Sequence, residues 1–327
     1  MNQKRIIGLD IIRGLAIAIV LFANVREIMP IVEGEKRPHF TQIDHFIKQF
    51  FAMFIDMRFI TLFTLLFGIG MGIFMNNARK KDLSPIKLMF RRLIFLFVVG
   101  VPGLILILPY AEYAIYGFIL MFLFLLPKAR YTLWVSIILL VAYIAIIIWL
   151  PQSNHVDIMF LGVMAFGLYL SQSGIIYRFK AYKKFFISTL AISSIIIIGA
   201  LALKQINAHF AWYSVKDMVT PFQSIIYFIL LLFITDRESV QRVMTPFEKL
   251  GKTAFTNFLV QMIVLDLFLS FVFPYPHPTP LQAIYIGIPI LVVFTLLTYW
   301  WLAHHRQGPL EMLWRKWTYK NVPKNLK

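Results

Sequence analysis

Long apolar runs alternate along the chain with short polar connections in which Lys and Arg outnumber Asp and Glu. Runs long enough to cross a bilayer as helix, roughly 17 to 25 residues, can be drawn at 6–29, 46–76, 91–109, 111–127, 131–150, 156–173, 185–203, 217–235, 251–273 and 280–303. The pattern predicts an all-α, polytopic membrane helix bundle of about ten transmembrane helices over residues 1–303. Residues 304–327 read differently. Gly308 and Pro309 interrupt the tenth run, and Leu310, Leu313, Trp314 and Trp317 then recur at i, i+3, i+4 and i+7, with Arg315, Lys316 and Lys320 elsewhere on the turn. This predicts an amphipathic cytoplasmic tail lying on the inner leaflet. The stretches near 30–45, 204–216 and 304–327 are too short to build a soluble core. The first run is too long for the apolar part of a signal peptide and no A-x-A-like site follows it, so it is expected to remain as a helix.

Composition agrees: 60% of the 327 residues are hydrophobic, 14% are charged and 32 are Phe. The chain has no Cys, which excludes disulfides, thiolate metal sites and a Cys nucleophile. A formal net charge of +17 raises nucleic acid as a partner, but the charges are sorted by side. With the N-terminus inside, 25 of the 32 Lys and Arg fall on the inner side and 7 on the other. This asymmetry predicts both termini in the cytoplasm. The bilayer, including anionic lipid, becomes the expected partner and nucleic acid is not expected.

Polar residues inside the apolar runs are the candidate chemistry. Arg13 lies about 10 Å into the first helix at 1.5 Å per residue, where an unpaired charge costs on the order of 3 kcal/mol. Asp10, three residues earlier on the same face, is its expected partner. Snorkelling to the interface is the alternative to a cavity role. Asn24, Arg26 and Glu27 fall near the outer interface. Asp56 and Arg58 interrupt the second run, and since i and i+2 do not share a helical face, each is expected to seek another partner. Thr253, Asn257 and Gln261 recur every four residues, giving one polar stripe that either packs against a neighbouring helix or lines a substrate path. Gly68 and Gly72 form a small-xxx-small face for close helix packing, not a nucleotide loop.

Four blocks carry a family resemblance: Arg5, Leu9, Asp10, Arg13 and Gly14; "RFITLFTLLFGIG" at 58–70; "LGKTAFTNFLVQ" at 250–261; and "RQGPLEMLWRKWTY" at 306–319. In order and over nearly the whole chain, they resemble the YeiB-like bacterial membrane proteins, a domain of unknown function grouped by similarity with transmembrane acyltransferases. The resemblance implies transfer of an acyl group from cytoplasmic acyl-CoA, as co-substrate, to a small-molecule, glycan or envelope acceptor. It also implies a histidine between the first two spans, where His39 and His45 both lie, and His45 is preferred because Asp44 adjoins it; His155, His209, His277, His304 and His305 are the other candidates. Where the family often has Gly-x-x-His before the fourth span, this chain has Gly103 at the histidine position, and Glu112 is the nearest acid. His45 or Glu112 is therefore the expected base. Asp10, Arg13, Asn24, Arg58, Asn257 and Gln261 would bind substrate, and Arg306 the CoA phosphates. No covalently bound cofactor and no metal site are expected, since no ligand spacing resembles one. Transport of a small anionic solute by the same arginines, and a non-catalytic role in stress or peptide resistance, are the alternatives.

Overall fold

The computed structural model describes residues 6–27, 39–100, 110–126, 128–150, 156–206, 212–272, 278–320 and 322, and among these it is helical without strands. The helices are α1 (Ile7–Glu27), α2 (Gln42–Phe54), α3 (Arg58–Lys80), α4 (Pro85–Gly100) and α5 (Tyr110–Leu120), followed by α6 (Ala129–Trp149) and α7 (Val156–Gln172). Then come α8 (Lys183–Ile206), α9 (Trp212–Ile234), α10 (Glu238–Val243), α11 (Thr245–Lys252), α12 (Ala254–Val272), α13 (Pro280–His304) and α14 (Pro309–Thr318). Among the described residues seven stretches are long and apolar enough to cross a membrane, the second covering α2 and α3 together. Shorter apolar helices lie at Glu112–Leu125 and Val156–Gln172. This is a multi-pass membrane protein. Isoleucines 187, 192, 195 and 198 stand exposed on α8, as lipid-facing side chains do.

Two expected runs are broken. The run 46–76 divides at residues 55–57, where Met57 takes a left-handed φ of 63° that costs a non-Gly residue about 1 kcal/mol or more. The amides of Ile55 and Asp56 both return to the Phe51 carbonyl, each at 2.8 Å. The run 251–273 divides at Thr253, so that α12 begins afresh at Ala254. Backbone groups freed by such breaks need partners in a membrane, and those partners define much of the site described below.

The chain forms two compact units. One contains α1, α2 and α10 to α13, and the other contains most of α3 together with α4 to α8 and most of α9. In the first unit α1 packs on α11 backbone to backbone. A Cβ on Gly14 would overlap the Phe247 carbonyl, and one on Gly251 would overlap the Asp10 carbonyl. Asp44 ties two helix starts together, accepting from the Thr41 amide (3.0 Å) and hydroxyl (2.7 Å) at the start of α2 and from the Leu281 amide (3.0 Å) at the start of α13.

In the second unit Gly68 and Gly72 of α3 lie against Met164 and Ser171 of α7, the close packing their spacing predicts. Pro221 inside α9 leaves the carbonyl of residue 217 without its helical donor. The Tyr143 hydroxyl of α6 supplies one at 3.1 Å. Arg92 of α4 stacks on the ring of Trp314 (3.9 Å to centroid), whose indole N–H returns to the Arg92 carbonyl at 2.9 Å.

Candidate functional site

The polar residues of the first unit fall into three groups. On α1, Arg13 Nη1 meets Asp10 Oδ1 at 3.2 Å; the Asp10 side chain is 7% exposed and that of Arg13 26%. The pair satisfies the guanidinium locally, as the i, i+3 spacing predicts. Near the other end of α1, buried Asn24 donates to the Met262 sulfur at 3.1 Å, next in sequence to Gln261, whose buried Nε2 has no hydrogen-bond partner among the described residues.

The second group surrounds the α2–α3 break. Arg26 reaches Asp56 through two bonds of 3.3 Å and lies over the Phe51 ring. Arg58 is 2% exposed and donates Nη1 to the carbonyls of Ala52 (3.0 Å) and Asp56 (2.9 Å). Asp56 and Arg58 thus take separate partners, as their spacing requires. Arg58 acts as a side-chain cap on carbonyls that the end of α2 leaves open.

The third group lies where α12, α13 and α14 meet. Asn257 Nδ2 bonds Thr253 Oγ1 (2.8 Å), Thr298 Oγ1 of α13 (3.2 Å) and the Leu250 carbonyl (3.4 Å). The polar stripe therefore fastens α12 to α13 at Asn257. It also borders a pocket of about 170 Å³. Thr253, Thr256, Asn257 and Thr298 supply its polar lining, and Val260, Phe294, Leu297, Trp300, Trp301 and Pro309 the rest.

Beside the pocket, Glu311 of α14 closes the open start of α12. Its Oε1 accepts from the amides of Phe255 (2.8 Å) and Thr256 (3.2 Å), and its Oε2 accepts from the Thr256 hydroxyl at 2.6 Å. The Thr256 oxygen in turn accepts from the Leu310 amide at 3.1 Å. Gly308 permits this approach, since a Cβ there would overlap Glu311 Oε2 and lie 2.8 Å from Thr256 Oγ1. Burial raises the Glu311 carboxyl above its ordinary range, with its hydrogen bonds opposing.

Other expected residues lie apart from this group. His45 is exposed on α2 with its ring against Phe40, and the described bonds of the neighbouring Asp44 carboxylate run to Thr41 and Leu281. Glu112 is exposed in the first turn of α5, in the second unit, where Tyr116 donates to Asp157. Arg306 is exposed in the connection from α13 to α14. His155, His209, His277 and Gly103 lie outside the described residues. Among the described residues no cluster of three or more His, Asp or Glu could hold a metal ion. Thr256, Thr298 and Glu311 are the site residues that sequence reasoning passed over. Thr256 and Glu311 stood inside two of the resembling blocks, which was the signal available.

Apolar helices long enough to cross the bilayer, with a largely apolar pocket edged by hydroxyl and amide groups between two of them, define a multi-pass membrane protein whose candidate site lies at a helix junction. Residues 178–321 match the family described as "Protein of unknown function (DUF418)". The chain is similar to YeiB-like proteins of unknown function. It is 25% identical to the "Uncharacterized 39.9 kDa protein in amylase 3'region" of Bacillus acidopullulyticus, over 97% of this chain and 94% of that one. It is 26% identical to the uncharacterised protein YxaH of Bacillus subtilis, over 98% and 95% respectively. Uncharacterised YeiB of Escherichia coli is 26% identical over 48% of this chain and 43% of its own. No solved structure matches.

Proposed function

We propose that this chain is a protein of the bacterial inner membrane that transfers an acyl group from cytoplasmic acyl-CoA to a sugar or envelope hydroxyl, with the chemistry at the α12–α13–α14 junction. The observation that carries the reading is the α12–α13 pocket, whose apolar walls meet hydroxyl and amide groups. Its volume is close to that of a cavity that holds benzene, which suits a short acyl chain and leaves the nucleotide part of CoA outside. Arg306, exposed in the connection that follows α13, is the residue proposed to meet the phosphates.

Anion transport is less well supported. The arginines that would bind a solute are engaged, Arg13 with Asp10, Arg26 with Asp56 and Arg58 with two carbonyls. The test is calorimetry of the purified protein in lipid nanodiscs with CoA and acetyl-CoA, alongside release of free CoA thiol. Binding that weakens steeply with salt, weakens further in Arg306→Ala and is followed by thiol release is the expected result. No heat and no thiol release up to millimolar acetyl-CoA would refute acyl transfer.

A further inference from the structure

Helical Thr residues in this protein commonly turn their hydroxyls back onto their own helix. Thr189, Thr220, Thr295 and Thr318 each donate to the carbonyl four residues earlier. Such a bond is the usual resting state of a hydroxyl inside an apolar helix. Thr256 behaves differently. Its hydroxyl donates to the Glu311 carboxylate of another helix at 2.6 Å, its oxygen accepts from the Leu310 amide, and the residue lines the α12–α13 pocket.

A hydroxyl bonded to a carboxylate and facing a cavity is the arrangement of a nucleophile with its base. We infer that Thr256 is the acyl-accepting nucleophile of this protein and Glu311 its general base. The inference rests on the acyl-transfer reading and names the residues that would perform it.

Capping alone does not account for the geometry. The two backbone amides at the start of α12 are both met by Glu311 Oε1. That single oxygen completes the cap. Oε2 is left to the Thr256 hydroxyl, and Gly308, which has no Cβ to intrude between them, lets the two oxygens come together. The Leu310 amide adds a donor that stabilises negative charge on the Thr256 oxygen as its proton leaves.

The chemistry balances without an oxidant, reductant or metal. Thr256 Oγ1 attacks the thioester carbonyl carbon of the acyl-CoA. The C–O bond forms, the C–S bond breaks, and the hydroxyl proton passes through Glu311 to the departing thiolate, releasing CoA as the free thiol. In the second half an acceptor hydroxyl attacks the acyl-threonine ester and its proton passes through Glu311 back to Thr256. The apolar walls, Val260, Phe294 and Leu297, hold the chain of the acyl group while its carbonyl faces Thr256.

The test uses the full chain in nanodiscs, with acetyl-CoA and hexanoyl-CoA as donors and water or hydroxylamine as acceptor. The wild type is expected to release CoA thiol and, after rapid quenching, to show one acyl group on the peptide containing Thr256. Thr256→Val and Glu311→Gln should each lower thiol release about 100-fold or more, while Thr256→Ser, which keeps the hydroxyl, retains most of it. Glu311→Gln keeps an oxygen for the two amides, so its melting temperature should not drop below that of the wild type as its rate falls.

Thiol release by Thr256→Val at the wild-type rate, or an acyl group trapped on another residue, would overturn the assignment and leave acyl transfer standing. A wild type that neither binds nor cleaves either thioester would overturn both.

Discussion

Replacing Gly14 by Ala separates a packing role of the "LDIIRG" stretch from a chemical one. A Cβ at residue 14 would lie 2.7 Å from the Phe247 carbonyl carbon and 2.8 Å from the Gly251 amide nitrogen, and would overlap the Phe247 oxygen. All three are backbone atoms, so no side chain can swing aside. Restoring ordinary contact requires α1 and α11 to part by about 1 Å. A gap of that size forfeits a quarter to a half of each dispersion contact worth about 0.1–0.2 kcal/mol. With roughly 40 atom pairs across the crossing, the loss is about 1–4 kcal/mol. The helix propensity gained on replacing Gly by Ala returns about 1 kcal/mol, leaving a net cost of up to about 3 kcal/mol, within the usual cost of overpacking. Gly199 of α8 is the control, because a Cβ there meets nothing within 4 Å. Unfolding of the purified variants in mixed detergent micelles should therefore place Gly14→Ala well below the wild type and Gly199→Ala at or slightly above it. Equal stability of the two variants would refute the backbone crossing as the reason for glycine at 14.

Asp44→Ala should lower the unfolding midpoint by opening the starts of α2 and α13 together, with Asp44→Asn recovering part of the loss; an unchanged midpoint in Asp44→Ala would contradict the double cap. Burial raises the folded-state pKa of Glu311 above its unfolded value, so the stability it contributes is complete below the ordinary Glu range and declines as pH rises through the raised value. The melting temperature of the wild type should accordingly fall relative to Glu311→Gln over that interval, and parallel pH curves for the two would contradict it. The charge asymmetry predicts that single cysteines at Asn2→Cys and Asn325→Cys, in a chain that otherwise has none, are reached by an impermeant thiol reagent only after the cells are opened. Labelling of either in intact cells would reverse the topology.

The apolar spans were legible because membrane helices announce themselves by length and hydropathy, and the Asp10–Arg13 pair because i, i+3 spacing fixes its geometry. The breaks were harder to read. Residues 46–76 are almost uniformly apolar, and the left-handed turn is taken by Met57, which carries none of the signature that Gly or Asn would give. The only trace was Asp56 and Arg58 two apart, a spacing that sits badly on one helix face. The pocket was invisible for another reason. Asn257 read correctly as polar, but Thr298, its partner across α13, looks like any small residue in an apolar run until the two helices are paired. Glu311 was passed over in the amphipathic stretch; its role depends on α12 restarting at Ala254, which no local pattern at 309–319 contains.

Charge inside an apolar chain is an ambiguous guide to function, and these breaks show how the ambiguity resolves. Each helix end buried in a membrane presents backbone groups that water cannot reach, and a charged side chain is the strongest available partner. Arg58 gives Nη1 to two carbonyls at the end of α2, and Asp44 spends its oxygens on the starts of α2 and α13. For both, these bonds are those of a cap, and burial alone is no argument for chemistry. Glu311 begins as the same kind of cap but divides its oxygens, one on two backbone amides and the other on a hydroxyl that borders a cavity. A group that closes a helix and still holds a proton donor against an accessible space is the one whose substitution can change a rate without changing the fold. Among the polar residues of the first unit, that reasoning ranks Thr256 and Glu311 above the more conspicuous arginines.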